Sequence, residues 1–300
     1  MKQKEIEKSM EERAEKLNVI LEQQNQEFRI RYCRNWKNNI AYHGYILHSQ
    51  NNNINPVIYT SFRDWYENND FGVVKFLSEQ YKELAVKEPV SLECVKDKEF
   101  VLNRIRPRLI GKEKNMDGLI RSKRAFVKLD NLDMLITFYI YIGQTEDESE
   151  ISIPVTQDLL LSAGVILTEA KEYALSNMEK IASIRPIREV LKELVGMECC
   201  SEQESDLEKM LICNNKMGYY GAASVLCPSI QNELMRQLGN DVLLLPSSIH
   251  EMIAISGNHI DEIDVLREMV EEVNENQVRI DEQLTNSVYM LRNGSLEIVS

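Results

Sequence analysis

The sequence predicts an α+β fold with antiparallel sheets, packed helices and a C-terminal β-hairpin. Three observations carry this. Alternating apolar and polar runs separated by turn residues occur at 28–49, and a run rich in aromatic and β-branched residues at 132–142 is followed, after an acidic loop, by a second short strand, ISIPV. Amphipathic stripes at helical spacing occur near both ends, Ile6, Met10, Ala14, Leu17 and Leu21 at the first and Ile263, Leu266, Val270 and Val273 at the second. Finally, SVYMLRNGSLEIV places two alternating runs around Asn293-Gly294, a pair that tolerates the positive φ of a type I′ turn.

The elements follow in order. The first stripe marks an opening helix over 4–22. FRIRYCRNW and IAYHGYILH flank the turn-prone Lys37-Asn38-Asn39, and a second Asn cluster at 51–53 precedes NPVIYTSF, which reads as a three-stranded meander. Val73, Val74, Leu77, Tyr81 and Leu84 then mark a helix over 71–86. Together these make a small N-terminal domain, 1–90, with a boundary where Glu88-Pro89 interrupts the helix and a larger domain over 97–300. In that domain Asp97 to Gly111 reads as a helix that Pro107 kinks or ends. Leu132 to Ile142 and ISIPV pair as a hairpin across the acidic loop QTEDESE. Thr156 and Thr168 stand where N-caps belong, and the second helix sets Ala170, Tyr173, Ala174, Asn177 and Ile181 on one side. The acidic ECCSEQESDLEK, 198–209, reads as a solvated loop. Strand MLIC, a helical stretch that Pro228 re-opens, strands VLLLP and MIAIS, a helix ending near Asn276 and the hairpin complete the chain.

Composition narrows the function classes. The net charge is −13, with 35 Lys+Arg against 48 Asp+Glu. Residues 1–125 hold 23 cations and 18 anions, whereas 126–300 hold 12 and 30. The basic concentration is Arg104, Arg106, Arg108, Lys112, Lys114, Arg121, Lys123 and Arg124, set against Glu113 and Asp117. Such a patch could neutralise phosphates, but the acidic remainder repels a polyanion, and docking against it in cis is the simpler expectation. Nucleic acid is therefore not an expected partner. The longest apolar stretch, Met134 to Ile142, is nine residues, far short of the roughly 20 that span a bilayer. The charged N-terminus is unlike an export signal, and a cytoplasmic location without membrane contact is expected. The six cysteines, at 33, 94, 199, 200, 213 and 227, have no zinc-ligand spacing, so reduced thiols and no metal or cofactor are expected.

One stretch gathers groups that could do chemistry: Leu245-Pro246-Ser247-Ser248-Ile249-His250-Glu251 carries hydroxyls, an imidazole and a carboxylate. Ser247 or Ser248 with His250 and Glu251 could be nucleophile, base and acid of a serine-dependent hydrolase. However, residues this close in sequence rarely converge as a triad, and there is no GxSxG elbow. Ser248-x-x-Glu251 fits a helix-capping box better. Asn215, Asn274 and Gln277 are candidate ligand-binding neighbours, the last two equally suited to capping the helix that ends there. The glycines of Gly218-Tyr219-Tyr220-Gly221-Ala222-Ala223 match no phosphate-loop spacing, and Gly221 to Ala223 suit close packing of a helix on a sheet.

The residues resemble an uncharacterised bacterial family of unknown function from Gram-positive gut-type anaerobes. The matching blocks are Asn215 with Gly221-Ala222-Ala223, the LPSSIHE block at 245–251, Met269-Val270 with Glu272-Val273-Asn274 and Gln277-Val278, and Val288-Tyr289, with weaker matches upstream to Asn55-Pro56. Leu243 and Cys227 stand where the family would lead one to expect aromatic residues. The resemblance brings no activity, cofactor or catalytic residue with it. The expected function is accordingly that of a non-enzymatic binding or interaction protein, whose partner is a protein or small molecule.

Overall fold

The computed structural model describes residues 3–37, 40–49, 55–59, 69–84, 92–144, 150–195 and 210–299. The turn at Asn38-Asn39, the Asn cluster at 51–53, the end of NPVIYTSF, Glu88-Pro89, the middle of QTEDESE and the acidic 198–209 stretch lie outside them. The chain divides into two compact units, residues 1–94 and 95–300.

The first unit is a helix-covered meander. Helix α1 (Gln3–Gln23) precedes strands β1 (Phe28–Lys37), β2 (Ile40–Ser49) and β3 (Val57–Tyr59), which pair in that order, all antiparallel. Helix α2 (Asp70–Leu84) follows. The stripe of α1 turns inward as its spacing requires: Met10, Leu17 and Leu21 are fully buried and join Phe28, Tyr45, Leu47, Val74 and Leu77 in one core. The opening helix therefore packs in cis, and each such aliphatic side chain contributes about 1.5–3 kcal/mol.

The second unit opens with α3 (Lys98–Arg104), capped by Asp97, whose carboxylate accepts from the Phe100 amide at 2.7 Å. Strand β4 (Ile105–Gly111) comes next, so the helix expected over 97–111 stops at Arg104. Then come α4 (Lys112–Arg121), β5 (Phe126–Lys128), β6 (Met134–Gln144) and β7 (Glu150–Pro154). Long β6 pairs with β4 along one edge and with β5 and then β7 along the other, giving a four-stranded antiparallel sheet. Pro107 is tolerated because β4 is an edge strand, where a missing N–H leaves no ladder bond open. The expected β6–β7 hairpin is present.

Helix α5 (Gln157–Ser162) has Thr156 as its N-cap, the hydroxyl accepting from the Leu159 amide. Helix α6 (Leu167–Glu179) starts two residues earlier than expected, with Ile166 at the N-cap in place of Thr168, which falls inside the first turn. Ala170, Ala174 and Asn177 are buried, but Tyr173 is exposed. The Asn177 side-chain amide donates to the Leu102 and Ile105 carbonyls at 2.8 and 2.9 Å. It thereby satisfies acceptors that α3 leaves open where the chain turns into β4.

Strand β8 (Ala182–Pro186), helix α7 (Ile187–Val195), strand β9 (Leu211–Asn215), the buried 3-10 helix Gly221–Leu226, helix α8 (Pro228–Leu238), strands β10 (Asp241–Pro246) and β11 (Met252–Ser256), helix α9 (Ile263–Asn276) and hairpin β12 (Tyr289–Arg292) and β13 (Ser295–Ile298) follow. They form a six-stranded antiparallel sheet of order β13-β12-β10-β11-β9-β8. Asn293 and Gly294 take φ of 51° and 75°, the left-handed pair a type I′ turn needs. Alternate residues of β10 serve two cores. Val242 and Leu244 join the large core shared with β4, β6, α6 and the 3-10 helix, while Leu243 and Leu245 pack with Leu266 and Val270 of α9.

Replacing Asn177 by Leu keeps the volume roughly but strands two buried carbonyls. Urea unfolding is expected to show the second unit destabilised by about 2 kcal/mol or more.

Candidate functional site

The LPSSIHE block does not start a helix. Residues 247–251 form a tight turn between β10 and β11, and the register Pro246 to Met252 shows why: the chain must reverse to pair the two strands. The Ser248 hydroxyl accepts from the His250 amide at 3.0 Å, and the Ser248 amide donates to the Glu251 carbonyl at 3.2 Å. The capping-box expectation is thus replaced by a serine turn, in which the same hydroxyl serves a nearer amide. The Ser247 hydroxyl donates to Glu251 Oε1 at 3.3 Å. Among the described residues, neither hydroxyl bonds the imidazole.

The imidazole is committed elsewhere. The Tyr220 backbone N–H donates to His250 Nδ1 at 3.2 Å, so the neutral ring carries its proton on Nε2, 3.9 Å from Glu282 Oε1. Burial lowers its pKa, the Glu282 carboxylate opposes this, and the Arg108 charge adds to the lowering. The ring stacks on Tyr220 at 5.6 Å between centroids and meets the Tyr219 ring edge-on.

Asn215 and Gly221 deliver those tyrosines. The buried Asn215 side chain donates to the Tyr219 carbonyl at 2.7 Å and accepts from the Met217 amide at 2.9 Å, closing the loop after β9. Tyr220 takes a left-handed φ of 56°. A Cβ on Gly221 would lie 2.6 Å from the His250 carbonyl oxygen and 2.7 Å from the Asn215 amide nitrogen. Asn274 lies apart from this cluster, donating to the Thr285 carbonyl and the Asn286 side chain at 3.0 and 2.7 Å. Gln277 is the C-cap of α9, its amide bonded to the Val273 carbonyl.

The eight cations of 104–124 separate in the fold. Lys112, Lys114 and Arg121 stand exposed on α4, Lys123 pairs with Asp158 at 3.2 Å, and Arg124 bridges Thr156. Arg104 lies over the Phe100 ring. Arg106 and Arg108 alternate with buried Ile105, Pro107 and Leu109 and turn towards tyrosines: Arg106 sits 4.1 Å from the Tyr141 centroid and Arg108 4.5 Å from that of Tyr220. Tyr220 in turn meets Tyr139 edge-on at 5.0 Å. Tyr139 lies directly opposite Arg106 in the β4–β6 register. The Arg106 guanidinium is 3.7 Å from Glu150 of β7, and the two side chains are 13% and 3% exposed.

This pair is close without being hydrogen-bonded. Among the described residues Arg106 Nη1, Arg108 Nε, the Tyr139 hydroxyl and both Glu150 oxygens are buried without a hydrogen-bond partner. Buried polar atoms normally have one, because each unmade bond costs about 1–3 kcal/mol. The second unit's other deeply buried phenol shows the contrast. Tyr289 donates to Asp133 at 2.5 Å and meets the Thr285 hydroxyl at 2.6 Å, and Asp133 also accepts from Ser287. Burial pushes the Glu150 carboxyl up to about 7 against the pull of Arg106, and it raises the Tyr139 phenol above its usual range, with the Glu150 charge adding to this. Titratable groups displaced in this way, gathered around unpaired polar atoms, mark a candidate site.

The profile of a family of unknown function, DUF5688, matches residues 3–293. The chain belongs to this family. Neither a curated protein nor a solved structure matches it. Membership of DUF5688 brings no chemistry, so the site rests on its own geometry. Among the described residues no three His, Cys, Asp or Glu side chains gather as metal ligands, and no described helix is long and apolar enough to cross a membrane. Cys213 and Cys227 are buried thiols whose pKa burial pushes up to about 12, so both stay protonated.

Tyr139, Tyr141, Tyr220 and Glu150 were not candidates in the sequence reading. A signal was present for four of the tyrosine and arginine positions. In IRPRLIG and MLITFYIYI, polar Arg106, Arg108, Thr137, Tyr139 and Tyr141 alternate with apolar residues at strand spacing. Glu150 sits in an acidic run and had no such signal.

Two outcomes follow. Gly221→Ala forces a methyl onto backbone atoms that cannot rotate away and is expected to cost about 3 kcal/mol, whereas Gly218→Ala, at a φ of +73° with open space around it, costs only about 1 kcal/mol of left-handed strain; thermal unfolding compares them. A carboxyl whose folded pKa is raised binds more protons folded than unfolded. Its contribution to stability therefore falls as pH rises from the unfolded carboxyl range towards about 7 and is level above that. Glu150→Gln should remove this slope when unfolding free energies are measured at intervals between about pH 4.5 and 7.

Proposed function

We propose that this DUF5688 protein is a non-enzymatic binding protein whose second unit takes a small polar ligand at Arg106, Tyr139 and Glu150, flanked by Arg108, Tyr220 and the His250 turn. The observation that carries this reading is the set of buried polar atoms without hydrogen-bond partners, on side chains the fold otherwise holds firmly by ion pairing, ring stacking and strand pairing. A ligand that supplies the missing bonds recovers the cost of burying them, which is how a site preorganised for binding differs from a structural network such as that of Tyr289. The same geometry weighs against serine-dependent hydrolysis, since both serine hydroxyls and Nδ1 of His250 already have other partners. Salt-sensitive nucleic-acid binding through 104–124 is less favoured, because Arg106 and Arg108 turn inward. A cytoplasmic, Gram-positive bacterial setting and an unidentified small-molecule partner belong to this proposal.

The test is urea unfolding of Arg106→Met/Glu150→Leu. If the pair is kept for a ligand, replacing it with apolar residues of similar size raises the midpoint at an unchanged slope, by about 1–4 kcal/mol. A large loss of stability would make the pair structural and end the proposal.

A further inference from the structure

We propose that the hydrogen bond from the Tyr220 amide to His250 is an acid-released latch: protonating the imidazole breaks it and frees the loop between β9 and the 3-10 helix from the LPSSIHE turn.

The direction of that one bond decides the chemistry. The Tyr220 N–H donates to His250 Nδ1 at 3.2 Å, and a backbone amide nitrogen has only a proton to offer. The latch therefore closes on a neutral ring whose proton sits on Nε2. An imidazolium carries a proton on both nitrogens and has no lone pair to accept with, and turning the ring over brings only a carbon towards the amide. No orientation of the charged ring restores the bond, so protonation and the closed latch exclude each other. The ring is within reach of solvent, since the His250 side chain is 25% exposed.

The charges around the imidazole set the direction in which it moves. From β4, the Arg108 guanidinium lies 4.5 Å from the centroid of the same tyrosine ring on which His250 stacks, and it repels a second cation there. From the segment after α9, Glu282 Oε1 stands 3.9 Å from Nε2 and Asp281 adds to its pull, both carboxylates being shared with Arg279. Glu251 of the turn itself acts in the same sense while accepting from the Ser247 hydroxyl, and the Tyr219 ring meets the imidazole edge-on. A charged ring is thus drawn towards Glu282 and pushed away from Arg108 and the Tyr220 N–H. Burial holds the imidazole below its ordinary range, Glu282 opposes this and Arg108 adds to it. The latch is accordingly closed at neutral pH and opens as the pH falls through that lowered range.

The loop is placed to respond. Lys216, Gly218 and Tyr219 are exposed, and Met217 and Tyr220 are half-buried. Asn215 ties its near end through the Met217 amide and the Tyr219 carbonyl. The His250 bond ties its far end, where Tyr220 holds a left-handed backbone that side chains disfavour. From Gly221 onward the chain is buried in the core, so the change stops there. Because Tyr220 also lies against Arg108 and Tyr139, its release loosens that neighbourhood whether or not a ligand binds in it.

Hydrogen–deuterium exchange of the full chain from about pH 8 to about pH 5, corrected for the intrinsic dependence of exchange on pH, tests the latch. Peptides spanning 216–222 are expected to lose protection by about tenfold or more at the acid end, as the loss of one hydrogen bond implies. Peptides from β6 and β10 should keep theirs, which separates local release from acid unfolding. His250→Asn sets an oxygen near the place of Nδ1 and does not titrate, so its loop should stay protected throughout. His250→Phe keeps a stacked ring without an acceptor and should leave the loop open at every pH. Glu282→Gln removes a carboxylate that favours the charged ring and should move the transition to lower pH. Nitrogen-15 NMR of the neutral ring should find its proton on Nε2. Protection of 216–222 that does not change with pH, a loss shared by β6 and β10, a pH dependence that survives in His250→Asn, or a proton on Nδ1 overturns the proposal.

Discussion

At Gly221 the chain leaving β9 runs against the backbone of His250, so closely that a Cβ would lie 2.6 Å from its carbonyl oxygen. No side chain fits there, and Tyr220 immediately before it must take a left-handed backbone. Much follows from that contact. The Tyr220 amide reaches the imidazole, its ring lies between His250 and Arg108 while meeting Tyr139 edge-on, and the 3-10 helix that follows sinks into the core shared by both sheets. The LPSSIHE turn is thus one wall of an arrangement completed by β4, β6 and β7.

That arrangement holds charge where burial disfavours it. Arg106 and Glu150 are near enough to attract each other but too far apart to share a hydrogen bond, so desolvation outweighs attraction and the carboxyl leans towards its neutral form. A fold can carry such a cost only if the rest of the unit is well packed. Here the core around β4, β6, α6 and the 3-10 helix is continuous, and the second layer between β10 and α9 is separately filled. Asp133, Ser287, Tyr289 and Thr285 show that this chain pairs its buried polar groups where no ligand is in question.

The departures from expectation have definite causes. Ile105 and Leu109 are four apart and suit a helix, yet they sit in β4 because pairing with Ile140 and Ile136 of β6 offers a ladder that local periodicity does not reveal. Pro107 is an ordinary edge-strand residue there and not a helix kink. Ser248-x-x-Glu251 satisfies the pattern of a capping box, but the strand partner of β10 begins at Met252 and leaves no room for a helix. Strand β5 is three residues, too short for alternation to rise above background. The candidates Ser247, Ser248, His250, Glu251 and Asn215 gather at one turn and the loop it contacts, whereas Asn274 serves a different corner of the fold.

The sequence by itself determined the α+β class, the meander and its covering helices, the β6–β7 hairpin, the amphipathic face of α9 and the Asn293-Gly294 turn. These are properties of neighbouring residues, in which periodicity and backbone preference act over a few positions. It also determined that Gly221 to Ala223 suit close packing. Only the tertiary structure decided that Arg106, Arg108, Tyr139, Glu150, Tyr220 and His250 meet, because they come from β4, β6, β7, the loop after β9 and the turn before β11. Whether a buried donor or acceptor is paired depends on what the other strands bring to it, and that cannot be read from one segment at a time.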